Sequence, residues 1–113
     1  DGKISLEHML KQGLDRIKKG FCITIFPEGT RIKPKEVGKY HIGGAWLATQ
    51  SNLNVLPIAH NAGFYWPKNS IIKRPGVIKV SIGPAIITKK LSPTIVNKKT
   101  KEWIENEMVK LNV

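Results

Sequence analysis

Phe21-Cys22-Ile23-Thr24-Ile25-Phe26 runs directly into Pro27-Glu28-Gly29-Thr30-Arg31, and the reading of this junction decides the fold. The first six residues are mostly β-branched or aromatic, which predicts a short strand buried on both faces. Cys22, in the middle of it, then reads as a small buried hydrophobe. Pro27 has no N–H to continue a ladder and ends the strand. A loop at the carboxyl end of a strand is where ligands gather in open α/β sheets. Within it, Gly29 permits a sharp turn or a close approach of backbone to ligand. Arg31 offers a planar, permanently charged fork of donors that suits a phosphate. Glu28 would orient that guanidinium, and Thr30 would add a hydroxyl bond. Lys33, Lys35 and Lys39 raise the local positive potential. The plainer reading of the same residues is a surface turn with one ion pair.

Working outward, Ser5 is the expected N-cap of a helix with Leu6, Met9, Leu10, Leu14 and Ile17 in one apolar stripe, stopped at Gly20. After the junction, a polar loop leads to Gly43-Gly44 and a short helix over 45–51. Val55-Leu56-Pro57-Ile58-Ala59 reads as a second strand, where Pro57 implies an edge, a bulge or a strand end. Arg74-Pro75-Gly76 is a turn leading into a strand over 77–82, broken by Gly83-Pro84. Ser92-Pro93, a cap followed by proline at the first helical position, opens a last helix. Its inward residues are Ile95, Val96, Trp103, Ile104, Met108 and Leu111. This alternation predicts an α/β fold: a partial layered sheet flanked by helices, with crossover connections. The first helix has no leading strand to cross over from, so the chain reads as the C-terminal portion of a larger α/β domain.

The 113 residues include 19 Lys or Arg and 8 Asp or Glu, a formal net charge of +11. The excess is uneven: residues 1–67 carry 9 basic and 5 acidic side chains, residues 68–113 carry 10 and 3. Such a surplus implies polyanionic company, whether nucleic acid, anionic lipid or phosphorylated substrates, or simply a solvated basic surface. The single cysteine excludes an intramolecular disulfide or a cysteine-rich zinc site and fits a reducing compartment. The sequence opens at Asp1 with neither Met nor an apolar leader, so no signal peptide is expected within it. The longest stretch free of charged residues, 40–67, is interrupted by Gln50, Asn52, Asn54, Pro57, His60 and Asn61, so no transmembrane helix is expected.

The six residues Phe26-Pro27-Glu28-Gly29-Thr30-Arg31 resemble the third signature block of the glycerolipid acyltransferases. The resemblance continues in order along the chain. Gly43-Gly44-Ala45-Trp46-Leu47-Ala48 is similar to the small-residue helix after that block, and 55–63 to the fourth block. Residues 76–86 resemble the strand and turn beyond the fourth block, and Trp66-Pro67 is similar to bacterial members. The resemblance implies that residues 1–113 are the C-terminal part of a single acyltransferase domain. The implied activity is transfer of a fatty acyl group from acyl-CoA or acyl carrier protein to the sn-2 hydroxyl of lysophosphatidic acid, giving phosphatidic acid. No cofactor is implied beyond the donor.

By the same analogy, Glu28, Gly29, Thr30 and Arg31 bind substrate, with Arg31 on the glycerol phosphate. Pro57 and Ile58 line the acyl site or pack. The family's general base is the His of a His-x4-Asp block. That spacing is not met here: His8 is followed by Gly13, His41 by Trp46 and His60 by Tyr65. The implied catalytic residues on this chain are none, and the implied location is the cytoplasmic face of a bacterial inner membrane, against an anionic surface. Alternatives are an acyltransferase for another lysolipid or an ornithine-type lipid, a non-catalytic membrane-associated remnant, and a basic nucleic-acid-binding fragment. The last is disfavoured, because the aromatics do not interleave with the basic residues in a binding signature.

His8, His41 and His60 lack metal-ligand spacing and read as structural or solvent-facing, so no metal is expected. Phe64-Tyr65-Trp66, followed by Lys68 and Lys73-Arg74, reads as a loop whose rings either seat at a lipid interface or fold back on the core. Lys98, Lys99, Lys101 and Lys110 give the last helix a basic face.

Overall fold

The computed structural model describes residues 2–29, 32, 37–67 and 70–111. Helix α1 (Gly2–Lys18) begins three residues before Ser5, which therefore lies inside the helix and is not its cap. Its end is as expected. Gly20, at φ +87°, donates its N–H to the Ile17 carbonyl at 3.0 Å, and Phe21 donates to Arg16 at 3.1 Å. These two bonds form the Schellman closure that a left-handed glycine makes possible.

Helix α2 (Gly43–Gln50) packs against α1 and α4 (Pro93–Leu111). The close approach explains its small residues. Leu47 is buried against Gly13 of α1, where a Cβ would meet its Cδ2 at 2.7 Å. Met9 and Leu6 press on Gly43, and Ile25 on Gly44. At the start of α4 the Ser92 hydroxyl accepts the Ile95 N–H at 3.3 Å, the cap expected there. Val96 is fully buried, and Trp103, Ile104, Met108 and Leu111 are half-buried. Ile95, expected to face inward, is exposed. One residue from Val96 is about 100° around the helix, which turns it off the packed face.

The sheet differs from expectation in extent and direction. Strands β1 (Ile58–His60) and β2 (Val80–Ile82) pair antiparallel, with Ile58 opposite Ile82 and His60 opposite Val80. An isolated bridge joins Val55 to Ile86. From Ile58 back to Val55 is three steps and from Ile82 on to Ile86 is four, so the second strand bulges at Gly83-Pro84-Ala85. Pro57 sits at that irregularity, and its carbonyl accepts the Gly83 N–H at 2.9 Å. The connection between the strands is not a crossover. It holds a single helical turn, α3 (Ala62–Tyr65), where a loop was expected, and then an irregular segment.

The largest correction concerns residues 21–26. No strand forms there among the described residues, and Phe21, Cys22 and Phe26 are exposed. The run has the composition of a buried strand, but β structure requires a neighbour to complete its hydrogen bonds. Among the described residues β1 and β2 pair only with each other. The fold is nonetheless α/β, a small sheet flanked by helices.

Buried polar groups tie the parts together. Asn61 accepts the Lys79 N–H at 2.8 Å, donates its own N–H to the Lys79 carbonyl at 3.2 Å and reaches the Leu111 carbonyl at 3.4 Å. Thr88 donates to the Leu53 carbonyl at 2.8 Å.

Candidate functional site

The chain turns immediately after Phe26. Gly29 donates its N–H to the Phe26 carbonyl at 3.0 Å and stands at φ +73°, a conformation that disfavours any side chain with a Cβ. A Cβ there would also stand 3.1 Å from the His41 ring. His41 in turn donates its backbone N–H to the Pro27 carbonyl at 2.7 Å, which closes the 27–41 loop at its neck. Glu28 and Gly29 are thus placed. Thr30 and Arg31, together with Lys33 and Lys35, lie outside the described residues.

Glu28 is half-buried, and its pKa is raised, first by burial and then by the negative charge of Glu105. The link between this turn and α4 is Tyr40, which sequence reasoning missed. Tyr40 is 8% exposed, and Asn97, Lys101 and Glu105, spaced four apart on α4, all engage it. Asn97 donates to its carbonyl at 3.3 Å. The Lys101 ammonium stands 5.6 Å from its ring centroid, and its hydroxyl donates to Glu105 Oε1 at 2.9 Å. Burial, and then the Glu105 bond and charge, push the Tyr40 pKa well up, so the hydroxyl stays a donor. The signal was present as a polar stripe of period four beside the apolar stripe of α4. The residue that this stripe grips lies 65 positions from Glu105, which no local pattern reveals.

Beside the turn runs an open trough of about 1880 Å³. Its walls include Phe21, Ile25, Leu47, Ile104 and Met108, and among the described residues no Lys or Arg lines it. Pro57 and Ile58 both line it, Pro57 buried and Ile58 exposed. The residue just past the 26–31 stretch comes close to the end of 55–63: a Cβ on Gly63 would stand 3.7 Å from the Ile32 carbonyl oxygen. Pockets for drug-sized ligands measure roughly 300–1,000 Å³, so the trough has the volume and the mostly apolar lining to take an aliphatic chain.

His8, His41 and His60 are exposed, and the three do not converge: no group of three metal-ligating side chains occurs among the described residues. His60 Nδ1 accepts the Ala62 N–H at 3.2 Å.

The aromatic triplet neither projects freely nor folds fully inward. Phe64 and Trp66 are half-exposed, with the Lys73 ammonium 4.1 Å over the Trp66 ring and the Arg74 guanidinium carbon 6.0 Å from the Phe64 centroid. Among the described residues no helix is long and apolar enough to cross a membrane.

No family model matches the chain, but individual proteins do. Over 83 residues it is 54% identical to a 1-acyl-sn-glycerol-3-phosphate acyltransferase of Pseudomonas aeruginosa, covering 74% of this chain and 32% of that protein. Over 65 residues it is 35% identical to the enzyme of the same name from Cocos nucifera, covering 57% of this chain and 21% of that protein. The chain therefore spans a third or less of these curated relatives. The crystal structure of the 1-acyl-sn-glycerophosphate acyltransferase of Thermotoga maritima superposes with a TM-score of 0.83 over 90% of this chain and 43% of that one. At 23% identity that likeness shows a shared fold.

Proposed function

We propose that this chain, a relative of part of the 1-acyl-sn-glycerol-3-phosphate acyltransferases, supplies the phosphate-binding portion of an enzyme that acylates lysophosphatidic acid. In this reading residues 1–113 are the C-terminal part of one acyltransferase domain. The acceptor's sn-2 hydroxyl oxygen attacks the carbonyl carbon of an acyl thioester, carried by acyl-CoA or acyl carrier protein. The carbon–sulfur bond breaks, the new ester is phosphatidic acid, and the hydroxyl proton leaves through a general base to the departing thiolate. The observation that carries the proposal is the 54% identity to the Pseudomonas aeruginosa protein.

The chain's own residues have a division of labour in this proposal. Gly29 sets the turn, Glu28 and Thr30 orient Arg31, and Arg31 holds the acceptor phosphate. Pro57 and Ile58 line the apolar trough that takes an acyl chain. No histidine of this chain has an aspartate five residues on, so the base is not among residues 1–113, and these residues alone do not turn over substrate. The working surface is an anionic membrane, at the cytoplasmic face of a bacterial inner membrane.

The test is Arg31→Ala in the full-length protein that carries this chain, assayed with a thioester donor and lysophosphatidic acid. The acceptor KM is expected to rise by about tenfold to a hundredfold, the loss of a charge-assisted bidentate contact, with the donor KM little changed. Unchanged acceptor kinetics would remove Arg31 from the phosphate site, and absence of any acyl transfer by the unmodified protein would refute the reading.

A further inference from the structure

Every residue from 71 to 80 is exposed, yet the start of this segment is firmly tied. Trp66 Nε1 donates to the Ser70 carbonyl at 3.0 Å, and Ile72 donates its N–H to the Ser70 hydroxyl at 3.1 Å. Arg74 donates its N–H to the Tyr65 carbonyl at 2.7 Å, the shortest of the three bonds. These bonds hold up two adjacent isoleucines: Ile71 is 97% exposed and Ile72 73%. The next two residues are cations seated on aromatic faces, Lys73 on Trp66 and Arg74 on Phe64. An apolar tip carried on a pinned loop and backed by oriented cations is a built feature of the surface.

Charge identifies the occupant. Residues 61–101 contain nine basic side chains and no acidic one. A protein partner covering the isoleucines would have to bring its own carboxylates to meet Lys73 and Arg74. A bilayer with anionic headgroups offers both chemistries at the matching depths, hydrocarbon for the tip and phosphate just above it. Position adds to this. Phe64 and Trp66, the seats of the two cations, also line the trough, so the tip adjoins the apolar site.

We propose that the Ile71-Ile72 tip with Lys73 and Arg74 is a docking site for an anionic lipid bilayer, the isoleucines entering the acyl boundary and the cations resting on headgroup phosphates. This deepens the acyltransferase reading and rests on it in one respect, because a docked tip would deliver a membrane-borne acceptor to the trough.

The experiment is vesicle co-sedimentation of the full-length protein, first on equal parts phosphatidylglycerol and phosphatidylcholine, then on phosphatidylcholine alone. Ile71→Ser/Ile72→Ser is expected to weaken binding about a hundredfold on the mixed vesicles. Lys73→Gln/Arg74→Gln is expected to weaken it about thirtyfold there, to flatten its salt dependence and to change little on phosphatidylcholine. Circular dichroism and gel filtration check that both variants keep the fold and oligomeric state, and Ile87→Ser, an exposed isoleucine elsewhere, should bind as the unmodified protein does.

Binding that both double variants leave intact overturns the proposal. So does a change of oligomeric state in the isoleucine variant, which would make the tip a protein interface. Turnover of a short-chain, water-soluble lysophosphatidic acid separates the two ideas. If it is absent while the variants still lose vesicle binding, the docking site stands and the acyltransferase reading falls. If it is present while the variants bind normally, the reverse holds.

Discussion

The trough and the tip of the 70–80 segment both expose large apolar side chains, but they keep different company. The trough is lined by Phe21, Ile25, Leu47 and Met108, with no Lys or Arg among the described residues, and its ionisable lining groups include Glu28 and Glu105. The tip presents Ile71 and Ile72 directly beside two cations seated on rings. Exposed apolar area by itself says only that something favourable is to be gained by covering it. The charges around it say what kind of cover fits: an uncharged chain in the trough, an anionic surface at the tip.

The sharpest way to break this contrast is to compare the stability of the full-length protein after truncation in each region. Leu47→Ala removes a buried side chain wedged against Gly13 and is expected to cost about 2–5 kcal/mol in denaturant unfolding. Ile71→Ala should change stability by no more than about 0.5 kcal/mol, because its side chain has almost no folded-state contact to lose. A large loss at Ile71 would mean that the tip is covered by protein, and the comparison would collapse.

A smaller effect is expected at the Tyr40–Glu105 contact in the trough wall. Tyr40→Phe keeps the buried ring but deletes the hydroxyl that donates to Glu105, at an expected cost of about 1–2 kcal/mol. Since Tyr40 adjoins the neck of the 27–41 loop, the acceptor KM should rise more than kcat falls. A kcat loss with an unchanged KM would detach this contact from substrate placement.

The smallest effect is a pH dependence. The raised pKa of Glu28 means that the folded state holds this proton more tightly than the unfolded chain does. In the window just above 4.5, stability should therefore fall as pH rises, until Glu28 is ionised in both states. Glu28→Gln should abolish that fall. Glu107 works in the opposite sense and below this window. The Ser81 hydroxyl bond and Lys110 lower its pKa, so its contribution is lost only as pH drops beneath the ordinary carboxylate range. Urea midpoints of the unmodified protein and Glu28→Gln across that pH range would show whether the difference lies where Glu28 places it.

How much of the molecule is legible in its sequence depends on distance along the chain. The stop at Gly20 and the start at Ser92-Pro93 were legible because a cap is closed by residues three to five positions away. The start of α1 was misread at Ser5, which has the right side chain for a cap but lies within a helix that had already begun. The bulge beside Pro57 was legible as a category, since a missing N–H must interrupt a ladder somewhere. The Phe26–Arg31 block was legible as a resemblance, and of it the structure describes the Glu28-Gly29 turn.

The remainder was decided by tertiary structure. Residues 21–26 have strand composition, but a strand is made by the neighbour that completes its hydrogen bonds, and its own residues do not name one. The seating of Lys73 on Trp66 and the grip of Asn97, Lys101 and Glu105 on Tyr40 were equally hidden. The sequence by itself determined three of the four helices, the stop of α1, the start of α4, the charge excess and the resemblance of the Phe26–Arg31 block, because those rest on local geometry and on residue identity. Which apolar face was left open, and which charges came to stand beside it, was settled only by contacts between residues far apart in the chain.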